Sequence, residues 1–214
     1  MTARRIFGLF VIISAMSWPL QSDGAKKPET CLYEVKLQSP QGDKGSLKVY
    51  VKDTYYACEQ DSAGLKYKVI KNKNGVYMVK DWRKHAGKYP PGTTRESPFA
   101  ILPGPVGDVK KFLAGNEAKK TGQETINGKL CDIYSYKSPL GGWNCKLWAH
   151  SKSLLPIKLV MSGAKPSDTI TVTYVTYKVG LDIPDSRFEI PKDYAIGDIS
   201  IPKDKVALPK PAGK

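Results

Sequence analysis

The chain has 214 residues, 41% of them hydrophobic and 25% charged, a composition typical of one globular domain with a sizeable core. Its 34 lysines and arginines outnumber 20 acidic residues, and the net charge of +14 favours anionic partners such as phospholipid head groups or wall polymers. Two histidines and four cysteines without a C-x-x-C pair argue against zinc and redox motifs, and the scarcity of arginine disfavours nucleic acid as a partner.

Residues 1–25 have the layout of a secretory signal peptide. Arg4 and Arg5 precede an apolar run of eleven residues, Ile6–Met16, which small and polar residues follow at Gln21–Ala25. The run is too short to span a bilayer comfortably. We therefore expect an exported, periplasmic protein of the bacterial envelope that is soluble after cleavage. Residues 26–195 would form one β domain, and residues 196–214 a Pro/Lys-rich tail.

The first half of the domain predicts an up-and-down series of strands joined by short turns. Apolar and polar residues alternate clearly at Leu47–Lys52, and Asn72–Gly75 is a hairpin signal. The five predicted strands are Cys31–Gln38, Leu47–Lys52, Thr54–Glu59, Tyr67–Lys71 and Val76–Val79.

Residues 82–121 interrupt this rhythm with several prolines and glycines. Asp108 is a candidate N-cap for a short helix whose apolar residues, Val109, Phe112 and Leu113, share one face. Two interpretations stay open for this helix: it caps the sheet and buries Phe112 in the core, or it covers an apolar cleft.

The second half predicts a β-meander around the tight turn at Asn127-Gly128. Its strands are Leu130–Tyr136, Trp143–Ala149, Ile157–Met161 and Thr169–Tyr177. The fold class is mainly β (α+β): a curved antiparallel half-barrel sheet of about nine to eleven strands, with one or two helices over its concave face.

An even number of cysteines in an exported chain favours disulfides. Cys131 and Cys145 lie on successive predicted strands, so a bridge between them is the more plausible pair. A turn centred on Leu140 would instead place Cys145 opposite Ser135, so the bridge requires a turn centred nearer Ser138. Cys31–Cys58 is left as the second pair by elimination.

Motifs in the second half of the chain resemble those of the LolA/LolB-like superfamily, exported proteins related to the outer-membrane lipoprotein carrier. They are G-x-E-T-I-N-G with C-D-I-Y at Gly122–Tyr134, Trp148, L-P-x-K at Leu155–Lys158, T-V-x-Y at Thr171–Tyr174 and I-P-D-S-x-F-x-I-P-x-x-Y at Ile183–Tyr194. The resemblance covers residues 31–195. It implies a strongly curved, half-open antiparallel sheet whose concave face is plugged by helices and, in the carriers, holds acyl chains.

Two departures from the family stand out. The carriers begin with a long helix, whereas only a few polar residues precede Cys31 here. Related sequences often place an arginine two residues before the glutamate of the third strand, but Ala57 occupies that position before Glu59. The role of that family arginine, which locks a lid over the cavity, therefore cannot be transferred to this chain.

The function that these patterns favour is binding of a lipid or another hydrophobic ligand, lipoprotein acyl chains among them, by a carrier or chaperone. Lysines at the rim would hold an anionic head group. Ordinary core packing is the alternative for each candidate lining residue. These candidates are Val49, Val51, Met78, Phe112, Trp148 and Met161.

A second hypothesis is a non-catalytic module whose basic surface binds anionic membrane or cell-wall polymer. An enzyme is disfavoured because the chain has no G-x-S-x-G, no H-E-x-x-H and no Gly-rich phosphate loop. Cys145 and His150 lie five residues apart, so on a strand they should point to opposite faces. We expect neither cofactor nor metal.

Overall fold

Alternating apolar and polar residues form most of the strands. In β2, Leu47, Val49 and Val51 are buried on one face, while Lys48 and Lys52 alternate with them on the other. The computed structural model describes residues 29–62, 65–92, 104–138 and 143–199. Within these ranges the strands are β1 (Thr30–Ser39), β2 (Gly42–Lys52), β3 (Tyr55–Ser62), β4 (Leu65–Asn72), β5 (Gly75–Lys80), β6 (His85–Lys88), β7 (Lys119–Ile126), β8 (Lys129–Lys137), β9 (Asn144–His150), β10 (Pro156–Ser162), β11 (Thr169–Val179) and β12 (Ala195–Asp198).

The described strands make one curved, open sheet in the order β12-β6-β5-β4-β3-β2-β1-β11-β10-β9-β8-β7. Neighbours pair antiparallel throughout, except for β12 beside β6. β1 pairs with both β2 and β11, so it joins the two predicted meanders. The half-barrel prediction is confirmed, with twelve strands in place of nine to eleven.

The described helices are short. The only α-helix among them, α1 (Val109–Gly115), begins after the predicted N-cap Asp108. Three 3-10 helices lie at Asp81–Arg83, Pro166–Asp168 and Asp185–Phe188. Within the described ranges no helix has the length and apolar character needed to cross a membrane.

The two faces of the sheet carry separate cores. We call the face that α1 covers the inner face; its core includes Val49, Phe112 and Leu159. On the outer face, Ile183 and Phe188 of the C-terminal segment pack against β3–β6. The motif at Ile183–Tyr194 thus covers the back of the sheet.

Three strands are not among the nine listed from the sequence. β6 falls in the stretch that the sequence marks as irregular, β7 supplies the strand before the Asn127-Gly128 turn, and β12 carries Ile196–Asp198 out of the predicted tail into the sheet. The predicted signal peptide and the remainder of the tail lie outside the described residues, apart from Ile199.

Candidate functional site

A cleft of about 570 Å³ opens between α1 and the adjoining ends of the strands. Its apolar floor includes Cys31, Val51 and Phe112. The complete lining is Glu29, Cys31, Val51, Asp53, Thr54, Lys71, Val106, Gly107, Asp108, Lys111, Phe112, Gly115 and Asn116. The volume falls within the range of about 300–1,000 Å³ that small-molecule sites occupy.

The cap of α1 fixes one wall of the cleft. The Asp108 carboxylate accepts hydrogen bonds from the backbone N–H groups of Lys110 and Lys111, at 2.8 and 3.1 Å. Phe112 is buried against the sheet, where its ring meets that of Tyr136 edge to face with centroids 5.3 Å apart. Phe112 therefore both caps the core, as one interpretation predicted, and lines the cleft, as the other did.

Gly107 brings the chain into α1 with φ of +76°, a conformation that favours glycine. A side chain here would also meet the Glu29 carboxylate, because a Cβ atom would lie 2.5 Å from Glu29 Oε1. The entry to α1 therefore depends on this glycine.

The mouth of the cleft is not the lysine rim that we expected. Among the described residues it carries three carboxylates, from Glu29, Asp53 and Asp108, against two ammonium groups, from Lys71 and Lys111. Glu29 lies 3.6 Å from the Lys111 ammonium, and its backbone N–H donates to Asp53. With one more acid than base, the mouth does not select for an anionic head group as the chain's overall charge would.

Of the six predicted lining residues, the structure places Val51 and Phe112 in the cleft wall. Val49 and Met161 are buried in the inner core, and Met78 packs against that core. Val49, Met78 and Met161 therefore lie on the inner face of the sheet, but they do not line the cleft.

The prediction for Trp148 is wrong. Its neighbour Leu147 faces the inner core, so Trp148 faces outward. The indole N–H donates to the Glu124 carboxylate at 2.6 Å, and the Lys158 ammonium lies 4.7 Å from a ring centroid. Trp148 therefore holds neighbouring strands together on the outer face.

Sequence reasoning missed the concentration of tyrosine on the inner face. Eight of the twelve tyrosines lie in its core or pack against it: Tyr33, Tyr56, Tyr67, Tyr89, Tyr134, Tyr136, Tyr174 and Tyr177. Burial raises the pKa of Tyr33, Tyr174 and Tyr177 well above the ordinary value, so these phenols stay neutral. The alternation of apolar and polar residues in β1 and β11 could have predicted that Tyr33 and Tyr174 face the core.

The predicted disulfides are not formed, since all four cysteines are free. Cys145 lies opposite Tyr136, five residues along β8 from Cys131, a separation of roughly 16 Å. Cys31 and Cys58 lie on either side of β2, opposite Val51 and Val49, so two strand spacings of roughly 10 Å separate them. Disulfide geometry requires Cα atoms within about 7 Å.

A buried carboxylate on the inner face of β8 is held by four polar side chains. Asp132 accepts hydrogen bonds from Gln123 at 2.7 Å and Ser151 at 2.9 Å, and the Lys120 ammonium lies 2.9 Å away. The Tyr134 hydroxyl is a more distant donor at 3.5 Å. The Gln123 and Lys120 contacts lower the pKa of Asp132 to about 2, so it is ionised and fully partnered at neutral pH. This arrangement ties β7 and β8 together.

The described residues bring together no group of three or more potential metal ligands. Cys145 faces the inner core, whereas His150 lies opposite Cys131 on the outer face. The Nδ1 atom of His150 forms a 2.8 Å hydrogen bond with the Ser153 hydroxyl. Burial raises the pKa of Cys145 to about 11, which keeps the thiol protonated.

Scans against family models and curated proteins return no match. Solved structures with a similar fold include an uncharacterized conserved protein from Thermus thermophilus, with 10% identity, a TM-score of 0.49 and coverage of 78% of this chain and 90% of that one. Lipoprotein LppX of Mycobacterium tuberculosis has 9% identity, a TM-score of 0.39 and coverage of 72% and 90%. A LolA superfamily protein from Nitrosomonas europaea has 12% identity, a TM-score of 0.35 and coverage of 77% and 91%. The last belongs to the superfamily that the sequence motifs resemble.

Proposed function

We propose that this chain is a non-enzymatic protein that binds a lipid or another hydrophobic ligand in the cleft beside α1. The observation that carries the proposal is the cleft itself, whose floor of Cys31, Val51 and Phe112 continues into the apolar inner core. Each Å² of apolar ligand surface removed from water there contributes about 25 cal/mol. The polar rim leaves room for a ligand with one end in water.

In this proposal the protein acts as a carrier or chaperone in the bacterial envelope. The signal-like residues 1–25 and the LolA/LolB-like motifs support that location, and lipoprotein acyl chains are among the ligands considered. The acidic residues at the mouth, Glu29 and Asp53, favour a ligand whose exposed end is neutral, zwitterionic or cationic.

Mass spectrometry of solvent extracts tests this proposal. The protein is purified without detergent, and its extract is compared with that of an unrelated basic protein from the same host. The proposal predicts an apolar molecule in near-stoichiometric amount from this protein alone. Folded protein whose extract matches the control, and which takes up no lipid from vesicles, would contradict it.

A basic outer face supports a second candidate, a module that binds anionic membrane. Lys119 and Lys146 flank Ser135 in register on the outer face of β7–β9, and Lys36, Lys137 and Lys158 extend the same surface. Among the described residues none of these five lysines forms an ion pair. By contrast, Lys48 and Lys68 on the β2–β4 part of the outer face are paired with acids.

Co-sedimentation with phosphatidylglycerol vesicles tests the second candidate. Binding should fall steeply between low and physiological salt, because exposed charges are screened over about 8–10 Å. Replacing Lys119, Lys146 and Lys158 together by Gln should abolish it. The matched control replaces the paired Lys48, Lys66 and Lys68 and should retain most of the binding. Equal losses of vesicle binding in the two triple variants would show that binding depends on net charge alone, and would contradict a specific role for this lysine surface.

A further inference from the structure

Three tyrosines form a compact aromatic group on the inner face next to the cleft. Tyr33 and Tyr177 are partners in the β1–β11 register, and their rings lie with centroids 6.2 Å apart at an interplanar angle of 19°. Tyr174 contacts both, at 6.3 Å from Tyr33 and 5.9 Å from Tyr177. We call Tyr33, Tyr174 and Tyr177 the tyrosine triad.

Two hydroxyls of the triad have no hydrogen-bond partner among the described residues. They belong to Tyr33, whose exposed fraction is 0%, and Tyr174, whose exposed fraction is 8%. The third, on Tyr177, donates to the Gly107 carbonyl oxygen at 2.8 Å. An unpaired buried hydroxyl costs free energy, and phenylalanine would fill the same space without that cost. Two such groups on rings whose centroids lie 6.3 Å apart therefore mark a place for a polar partner.

The triad lies directly behind the floor of the cleft. Cys31, which lines the cleft, precedes Tyr33 by two residues on β1 and shares its face, and Gly107, which also lines it, is the partner of Tyr177. None of the three tyrosines lines the cleft, so a ligand would reach them by passing Cys31 and displacing the Gly107 carbonyl from Tyr177. The core around them, including Val35 and Val172, is apolar, so an ionised acceptor would lose its hydration without compensation.

We propose that the triad is the specificity-determining end of the cleft and binds hydrophobic ketones that carry an aromatic or conjugated ring. The ring stacks on the tyrosines, and its carbonyl oxygen accepts hydrogen bonds from the Tyr33 and Tyr174 hydroxyls. This inference rests on the proposed function and narrows it, because the hydrocarbon part of a saturated chain offers these hydroxyls no acceptor.

Two fluorescent probes of similar hydrophobicity separate ketone recognition from general apolar binding. Laurdan is a naphthalene ketone with a lauroyl chain, and its emission shifts to the red when its carbonyl accepts hydrogen bonds. Diphenylhexatriene is a hydrocarbon without a hydrogen-bonding atom. Both are titrated into the full chain and into the Tyr33→Phe/Tyr174→Phe double variant. Tyr77→Phe is the matched control, since the Tyr77 hydroxyl lies on the outer face and donates to the Asn74 carbonyl oxygen.

The inference predicts that the double variant binds laurdan at least about fivefold more weakly than the unaltered chain, with blue-shifted emission. Its Kd for diphenylhexatriene should stay within about twofold, and the control should match the unaltered chain for both probes. The single variants, measured alongside, should each weaken laurdan binding about threefold, so the test does not depend on the double variant folding.

Equal laurdan affinity and emission in the unaltered chain and the variants would overturn the inference while leaving the proposed function standing. A similar weakening of both probes would also overturn it, since the substitutions would then have changed the shape of the cleft. Folded, unaltered protein that binds neither probe would overturn the proposed function and this inference together.

Discussion

The Tyr177 hydroxyl donates a 2.8 Å hydrogen bond to the Gly107 carbonyl oxygen. This buried contact joins β11, near the middle of the sheet, to the segment that leads into α1. Because Gly107 also lines the cleft, the same bond sets the position of one cleft wall. It is a direct link between the core and the candidate site.

Replacing Tyr177 by Phe should lower the free energy of unfolding by about 1 kcal/mol, because the Gly107 carbonyl loses its donor while the ring is kept. Urea denaturation followed by circular dichroism measures the change. Tyr33→Phe is the matched comparison and should leave stability equal or higher by up to about 1 kcal/mol, since its hydroxyl has no described partner. Equal losses in both variants would contradict the assignment of partners.

Asp132 should make the fold sensitive to acid. Its pKa is lowered to about 2 in the folded chain, below the ordinary value of 3.8. A carboxylate with a lowered folded pKa contributes stability above its unfolded pKa and loses it as the pH falls toward the folded value. Part of the stability should therefore disappear between about pH 4 and pH 2.

The variant Asp132→Asn should be less stable by about 1–2 kcal/mol at pH 7 and should lose less stability than the unaltered chain on acidification. Urea denaturation at pH 7, 4 and 3 provides the comparison. Asp193→Asn is the control: Lys84 also lowers the pKa of that carboxyl, but the pair is exposed and screened by solvent, so its loss should change the acid profile little. A variant that follows the acid profile of the unaltered chain would exclude this role for Asp132.

Trp148 should affect stability without affecting ligand binding. Trp148→Phe keeps the aromatic face beneath Lys158 but removes the indole N–H that donates to Glu124. We expect a loss of about 1–2 kcal/mol, since the acceptor is charged. Diphenylhexatriene binding at low denaturant should remain unchanged. Weaker probe binding by a fully folded variant would contradict this assignment and indicate that Trp148 lines the cleft.

How far the sequence predicts the molecule depends on how local each signal is. Asn127 and Gly128 adopt the positive φ values expected of a tight turn, and Asp108 caps α1 as predicted, because both features depend on a few adjacent residues. β6 and β12 escaped prediction because each has four residues and their pairing joins segments about a hundred residues apart. No periodic pattern of apolar residues within either segment predicts such a long-range pairing.

The site was harder to predict because it depends on which face a residue takes. Leu147 and Trp148 are adjacent and both apolar, so composition alone does not decide which of them faces inward. The cysteine pairing failed because it depended on the register of β8 and β9. The bridge required Cys145 to lie opposite Cys131, but the turn after β8 places Cys145 opposite Tyr136, five residues away and on the other face of the sheet.

The free cysteines lead to a further prediction. Reductant should leave the free energy of unfolding unchanged, and four thiols should react with a thiol reagent in the denatured protein. In the native protein the reaction should be slow, because the cysteines are buried and burial raises the pKa of Cys31, Cys131 and Cys145. Peptide mass spectrometry that finds a Cys131–Cys145 or Cys31–Cys58 bridge would contradict the strand register.

The most direct test of ligand binding in the cleft beside α1 is to fill that cleft with a side chain and measure the affinity for an apolar probe. Gly115 lines the cleft, and a Cβ atom there meets nothing within 4 Å, so Gly115→Trp should fold normally while occupying ligand space. Ala114→Trp is the matched control, because Ala114 is exposed on the same helix and does not line the cleft. In titrations with diphenylhexatriene, Gly115→Trp should weaken binding at least about tenfold, whereas Ala114→Trp should match the unaltered chain. Equal affinity in all three folded proteins would show that the cleft beside α1 is not the binding site.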